Sequence, residues 1–276
     1  MTILPKLRAV SYLAPNYFGF YQETTAYLGR VLGLETQLHQ GEYDPLEDPL
    51  LLQDQIDLVF ICGLPLIRYC QVISDQLQTL VAPVMQLSRY YNRPIYFADV
   101  IVNANSDIRA FADLAGRIFC YNDSDSNSGY NLLRNQLVQQ RYPLNFFGKT
   151  IQSGSHQCSI RWVVEGLADC AAIDSVVLEQ ELRDFPELSQ HLRVVEVLGP
   201  SPIPPLVVAQ RLGVSLIRQM QSALLQPDVE LQRAMERAGV KRFTTVELED
   251  YTVLVKSDGL KYSDRQKTDL IFHHIN

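Results

Sequence analysis

Small polar residues cluster after a predicted buried strand near the middle of the chain. The apolar run Phe119–Tyr121 is followed by Asn-Asp-Ser-Asp-Ser-Asn-Ser-Gly-Tyr over residues 122–130. A helix that begins at Ser128–Gly129 presents amide N–H groups, hydroxyls and the positive end of its dipole above that turn. Because these groups bind anions, the pattern predicts an anion site at this turn.

Two further predicted strand ends carry polar side chains. One reads Gly154-Ser155-His156 before a helical pattern, and the other is Ala171–Asp174, a strand that ends in a carboxylate. In an open α/β sheet, such strand ends converge on a ligand crevice. We therefore expect the three segments to meet at one site.

Each of these residues also has a purely structural interpretation. Ser126, Ser128 and Asp174 are residue types that cap helices without any ligand. His156 is equally suited to a hydrogen-bonded position at a helix start, and as a ligand its titration near neutral pH would couple anion affinity to pH. These alternatives stay open at this point.

Two acids in the central turn have the same ambiguity. Asp123 and Asp125 are typical of a solvated polar turn, or one of them accepts the proton of a hydrogen phosphate.

Tyr43 and Tyr96 are two of 14 tyrosines, and each suits a packed ring with a solvated hydroxyl.

Catalytic motifs are absent from the sequence. It contains no G-x-S-x-G, H-E-x-x-H, P-loop or G-x-G-x-x-G segment. Ser128, His156 and Asp174 can be drawn as a triad, but a triad is recognised by geometry. The five histidines, including His273–His274, show no metal-ligand spacing. We expect a binding protein with no cofactor, no metal and no catalytic residue.

Composition limits the partners. The 276 residues carry 24 basic and 31 acidic side chains, a net charge of −7, which argues against nucleic acid. No apolar run reaches the length of a membrane helix, so no membrane insertion is expected. The N-terminus shows no export signal, and five cysteines without a CxxC pair favour a reducing compartment.

Apolar periodicity predicts strands alternating with helices, which implies α/β architecture with parallel sheets. The apolar run Ile56–Ile61 is typical of a central strand, and 199–205 reads as a proline-rich turn between strands. About ten strands are too many for one sheet. We predict two lobes, a discontinuous one of residues 1–92 plus 200–276 and an inserted one of residues 93–199.

Six segments in order resemble the PhnD-like phosphate/phosphonate-binding proteins of ABC importers, a family with the type 2 periplasmic-binding-protein fold. The segments are Gly41–Asp44, Ile56–Pro65, Arg93–Val100, Asn122–Tyr130, Gly154–His156 and Ala168–Ser175. The resemblance implies two α/β lobes with parallel-rich sheets, joined by a double-stranded hinge, that close on a ligand.

The family motif implies roles for particular residues. Ser126, Asn127, Ser128 and the N–H groups of Gly129 and Tyr130 would hold the oxyanion; the family usually has threonine at the Asn127 position. The resemblance also implies side-chain donors on the opposite side of the ligand, at positions matched by Tyr43, Tyr96 and His156. It implies one acidic residue as well, at the position matched by Asp174.

A second acid, which 2-aminoethylphosphonate binders carry, is missing from Ile203-Pro204-Pro205-Leu206-Val207. The resemblance therefore favours phosphate, phosphite or a simple phosphonate, captured between the lobes for an ABC permease. It implies a periplasmic location, whereas a cytoplasmic one is expected if the chain as written is the native full length. The alternative is a cytosolic sensor, or an enzyme acting on a phosphorylated metabolite, with the same fold.

Overall fold

The chain folds into two compact units, described here from a computed structural model that covers residues 6–143 and 145–258, the last three without their side chains. The first unit contains residues 6–95 and Pro202–Val255, and the second contains Tyr96–Ser201. The lobe boundaries given above stay a prediction; their residues 259–276, and with them His273–His274, lie outside the described chain.

The first unit is built on a six-stranded sheet in the order β11-β4-β10-β3-β1-β2. Its strands are β1 (Lys6–Ser11), β2 (Glu35–Gln40), β3 (Leu58–Phe60), β4 (Leu77–Met85), β10 (Leu206–Ala209) and β11 (Val240–Thr244). Its helices are α1 (Phe18–Leu32), α2 (Pro49–Leu52), α3 (Gly63–Val72), α7 (Val214–Leu225) and α8 (Val229–Arg237), and α9 (Val253–Asp258) follows. Gly33 ends α1 in the left-handed conformation that glycine adopts readily.

The second unit is built on a five-stranded sheet in the order β7-β6-β8-β5-β9. Its strands are β5 (Ile95–Asn103), β6 (Ile118–Tyr121), β7 (Lys149–Gln152), β8 (Cys170–Asp174) and β9 (Leu192–Pro202). Its helices are α4 (Leu132–Gln139), α5 (His156–Glu165) and α6 (Ser175–Asp184).

Both faces of this second sheet are buried. Ala98, Val100 and Ala172 pack into one apolar core, whereas Ile101 and Ile173 pack into another on the opposite face. Successive residues of a strand point to opposite faces, so both sets must be apolar. This is why β5 is apolar apart from Asp99 and its last residue, Asn103, and why β8 is apolar up to its last residue, Asp174.

The sheets are mixed, which refines the expectation of parallel sheets. β1 pairs in parallel with β2 and β3, and β6 does so with β7 and β8. By contrast, β10 runs antiparallel to β3 and β4, β11 to β4, and β5 to β8. A sheet in which every strand follows a crossover helix would be parallel throughout, and these three strands depart from that rule.

The predicted turn over 199–205 was placed too early, because β9 continues to Pro202. Proline lacks the N–H that a central strand needs, but an edge strand tolerates it. β9 lies at the edge of its sheet, which explains how Pro200 and Pro202 belong to a strand.

No helix in the described part of the chain is long and apolar enough to cross a membrane.

Candidate functional site

One edge of the second sheet gathers most of the predicted site residues. Strands β6, β7 and β8 are parallel, so their C-terminal ends lie at the same edge. β5 runs the other way, with Ala98 opposite Asp174, and therefore begins at that edge. This topology places Tyr96, the turn after β6, His156 and Asp174 at one end of the sheet.

The turn after β6 is a single π-helical turn, Asn127–Asn131, that leads directly into α4. Ser126 caps it, and its Oγ accepts a hydrogen bond from the Gly129 N–H at 3.0 Å. The Gly129 N–H is thus used within the protein. Ser126 keeps its own hydroxyl proton for donation, since a hydroxyl both accepts and donates.

Gly129 is required by close packing. A Cβ at this position would overlap the Oδ1 of Asn122, the residue that follows β6. The absence of a side chain therefore lets the backbone of the turn lie directly against the end of the strand.

Ser128 and His156 are brought together from two different strand ends. Ser128 Oγ lies 3.4 Å from His156 Nε2, and both side chains are buried, with 4 % and 8 % exposure. His156 is the first residue of α5, whose cap is the Ser155 hydroxyl accepting from the Cys158 N–H. The helix start thus fixes the ring beside the turn.

Burial lowers the pKa of His156 to about 4, so the ring is neutral at pH 7. The expectation that this residue titrates near neutral pH is therefore wrong, because the sequence pattern does not show how deeply the imidazole is buried. A neutral imidazole has one N–H donor and one acceptor nitrogen.

The tautomer follows from the other ring nitrogen. His156 Nδ1 is buried and has no hydrogen-bond partner. Buried N–H groups without an acceptor are rarer than unsatisfied acceptors, so we assign the proton to Nε2. Nε2–H then donates to Ser128 Oγ, and the Ser128 proton is left to donate to another acceptor.

Asn127 makes two side-chain hydrogen bonds within the protein, and its predicted contact with the oxyanion stays a prediction. Its Nδ2 donates to Tyr96 Oη at 2.8 Å and to Ser201 Oγ at 3.2 Å. All three side chains are more than nine-tenths buried. Ser201, near the end of β9, was missed by the sequence analysis because a serine between prolines 74 residues away carries no signal of this contact.

Asp174 is the cap of α6. Its Oδ1 accepts from the N–H groups of Val176 and Val177 at 2.8 and 3.4 Å. Burial raises the pKa of Asp174 to about 7, an effect that these two amide bonds oppose and the nearby Asp99 reinforces. The capping interpretation thus describes its contacts in the structure.

The triad drawn from sequence is not assembled. An acid that orients a catalytic histidine accepts a hydrogen bond from its second ring nitrogen. His156 Nδ1 has no such partner, and the Asp174 carboxylate is bonded to backbone amides of α6.

The side chains of the other predicted residues make none of the hydrogen bonds described above. Asp123 and Asp125 are exposed, and Asp123 Oδ1 accepts from the Asp125 N–H at 2.7 Å, as in a solvated turn. Tyr43 belongs to the first unit, where its side chain is 57 % exposed. Its role stays a prediction. No group of three or more potential metal ligands occurs among the described residues.

Comparison with solved structures identifies proteins with the same fold. The binding protein component of an ABC phosphonate transporter from Pseudomonas aeruginosa superposes with a TM-score of 0.78 at 15 % identity, over 99 % of this chain and 90 % of that one. PhnD1 from Prochlorococcus marinus, in complex with methylphosphonate, gives 0.79 at 17 % identity over 92 % and 97 %. The aliphatic sulphonate-binding protein SsuA from Escherichia coli gives 0.61 at 16 % identity over 95 % and 88 %.

These neighbours are two-lobed α/β periplasmic binding proteins, and the described chain has two mixed sheets flanked by helices, which confirms the predicted fold class. The comparison with curated protein sequences gave no match. The family model described as "ABC transporter, phosphonate, periplasmic substrate-binding protein" matches residues 11–251. The chain therefore belongs to the family of periplasmic substrate-binding proteins of ABC phosphonate transporters.

Proposed function

We propose that this protein binds a phosphorus oxyanion (phosphate, phosphite or a simple phosphonate) at the turn after β6 and delivers it to an ABC-type importer. The observation that carries the proposal is the arrangement of Ser126 and Ser128 in the first turn of a helix. Each hydroxyl accepts one hydrogen bond from the protein and keeps a proton to donate.

The electrostatics of the turn suit an anion held by neutral donors. The helix that begins at Asn127 directs its positive dipole end and its first amide N–H groups toward the turn. Ser128 lies at 4 % exposure, and hydrogen bonds to a charged oxygen are strong when water is excluded.

The choice of phosphorus over sulfur rests on family membership, because the fold is shared with a sulphonate-binding protein. A ligand without an ammonium group fits Asp174 better. That carboxylate is engaged as a helix cap, and burial opposes its ionisation. We therefore place 2-aminoethylphosphonate below methylphosphonate in affinity.

Binding without chemical conversion is part of the proposal. It is supported by the family's role in transport and by the separation of Asp174 from the His156 ring nitrogen that a triad would use. Recovery of the ligand chemically changed after long incubation with the protein would contradict it.

A thermal-unfolding screen tests the ligand class. The ligands are phosphate, phosphite, methylphosphonate, 2-aminoethylphosphonate and sulfate. A ligand at 100 times its dissociation constant stabilises the fold by about 2.7 kcal/mol, which raises the unfolding midpoint measurably. We expect a shift with at least one of the first three and none with sulfate. A shift with sulfate alone, or with none of the five, would contradict the proposal.

A further inference from the structure

The Asn127 side chain connects two hydroxyl groups that come from the two ends of the second unit's sequence. Tyr96 stands at the start of β5 and Ser201 near the end of β9, yet both oxygens accept a hydrogen bond from Asn127 Nδ2. An asparagine amide group has two N–H hydrogens. Both are used here, so Asn127 has no hydrogen left to donate to a ligand.

The buried Ser201 hydroxyl accepts a hydrogen bond but has no acceptor for its own proton among the described residues. Its side chain is 3 % exposed, and among the described residues its hydrogen bond is the one that it accepts from Asn127. Its proton remains to be donated. A buried donor without an acceptor costs free energy, and a ligand oxygen that accepts this proton removes that cost.

The same pattern recurs at the neighbouring serines. Ser126 accepts from the Gly129 N–H and Ser128 from His156, and each keeps its proton. In each case a neutral group of the protein occupies a lone pair and leaves the hydroxyl as a donor. Ser201 is the third serine with this arrangement, and Asn127 joins it directly to the turn.

We propose that Ser201 is a further oxyanion-binding residue, and that Asn127 is a positioning residue that orients the Ser201 hydroxyl instead of donating to the ligand itself. The inference rests on the proposed function, since it requires an oxyanion at this turn. It also gives Asn127 a specific purpose, because an amide group can donate to two oxygens at once, whereas a hydroxyl has a single hydrogen to donate.

Calorimetric titration with methylphosphonate and with inorganic phosphate tests the role of Ser201. We expect Ser201→Ala to weaken binding of the anion that the wild type binds by about 10- to 100-fold, since a buried charge-assisted bond is lost. Ser201→Thr keeps the hydroxyl and should recover most of the affinity. The matched control is Ser189→Ala, which removes an exposed hydroxyl bonded to the Pro186 carbonyl and should bind like the wild type.

The role of Asn127 is tested by an isosteric change. Asn127→Asp keeps the shape of the side chain but has only acceptor oxygens, so it draws the Ser201 proton toward itself and adds a negative charge. We expect it to bind at least about 10-fold more weakly than Asn127→Ala, because like charges repel in a buried site. A purely packing role predicts the opposite order, with the isostere the better binder.

A double-mutant cycle links the two residues. If Asn127 acts through Ser201, Ser201→Ala in the Asn127→Ala background should lower affinity by only about 2-fold. Full additivity of the two substitutions would overturn the inference. So would a Ser201→Ala protein that binds within about 2-fold of the wild type while Ser128→Ala loses affinity. Either result would leave the proposed function standing. Failure of the wild type to bind either of these anions or phosphite would overturn both.

Discussion

Two polar clusters, one in each unit, differ in how completely the protein satisfies their hydrogen-bonding groups. In the first unit, Asp57 accepts from the Arg8 N–H at 2.7 Å and from Arg211 Nη1 at 2.6 Å, and Arg211 also donates to the carbonyls of Asp54 and Ile56. The charges are opposite and each is bonded several times. In the second unit, the cluster of Ser126, Ser128 and Ser201 is neutral and keeps three hydroxyl protons for donation.

This difference is the one we expect between a structural cluster and the proposed binding site. A charge pair in which each group makes several hydrogen bonds within the protein holds neighbouring segments together and offers few groups to a ligand. A cluster whose hydroxyls have each accepted but not donated is completed by an anion. Substitutions in one cluster at a time should therefore change either the free energy of unfolding or the affinity for the anion.

The largest expected effect on stability is in the charged cluster of Asp57 and Arg211. Asp57→Ala should lower the free energy of unfolding by about 2 to 4 kcal/mol, because it leaves the Arg8 N–H without its acceptor and removes the nearer of the two carboxylates that pair with Arg211. This figure allows for the 35 % exposure of the Arg211 side chain. Urea denaturation measures it.

Anion affinity of the Asp57→Ala protein should match that of the wild type. The control is Asp107→Ala, which breaks an exposed pair with Arg117 and should leave the unfolding free energy close to the wild-type value. If Asp57→Ala lost anion binding at a temperature where it is folded, the charged cluster would not be purely structural and the distinction between the two clusters would be wrong.

The second effect is the pH dependence of stability caused by His156. Burial holds its folded-state pKa near 4, below the ordinary value of 6.5, so the unfolded chain binds more protons between these pH values. Stability is therefore full above pH 6.5 and falls as the pH drops toward 4, by about 2 to 3 kcal/mol from this group. Asp174, whose pKa is raised by burial to about 7, has the opposite sign over the same pH range, so urea denaturation at several pH values should show the His156 loss in the Asp174→Asn protein.

His156→Gln should reduce the acid-side loss, because glutamine does not titrate. Asp174 contributes with the opposite sign: its folded-state pKa of about 7 lies above the ordinary value of 3.8, so its contribution to stability is lost as the pH rises from about 4 to 7. Asp174→Asn should remove that decline. An unchanged acid-side loss in His156→Gln would show that the ring is not buried as described.

The smallest effect on stability concerns the cap of the turn. Ser126→Ala should lower the unfolding free energy by about 1 kcal/mol, since the Gly129 N–H loses its acceptor. It should also weaken anion binding, because a donor is lost. Asp228→Ala removes a comparable cap from α8 in the first unit and should change stability without changing affinity. Equal affinities in these two proteins would contradict the role given to Ser126.

The sequence predicted the elements that carry the site better than the contacts within it. The apolar spacing Ile160, Val163, Val164 and Leu167 predicted the helix after His156, and the run Ile56–Ile61 predicted a central strand where β3 lies. Such periodicity reports burial directly. Both elements are set by apolar side chains that must leave water, so their positions were readable from residue types alone.

Contacts between distant polar residues were not readable. Ser201 meets Asn127 only because β9 lies beside β5 in the folded sheet. The neutrality of His156 likewise depends on how much water reaches the ring. The residue types predicted that the turn could bind an anion. The hydrogen-bond partner of each polar atom could be identified only in the folded structure.

The central claim is that the turn after β6 binds the oxyanion. The most direct test is calorimetric titration of the wild type and of Ser128→Ala with whichever phosphorus oxyanion the screen identifies. Removing the Ser128 hydroxyl should weaken binding by about 1 to 3 kcal/mol, with urea unfolding confirming that the variant is folded. Equal affinities for the two proteins would show that the anion binds elsewhere and would contradict the account.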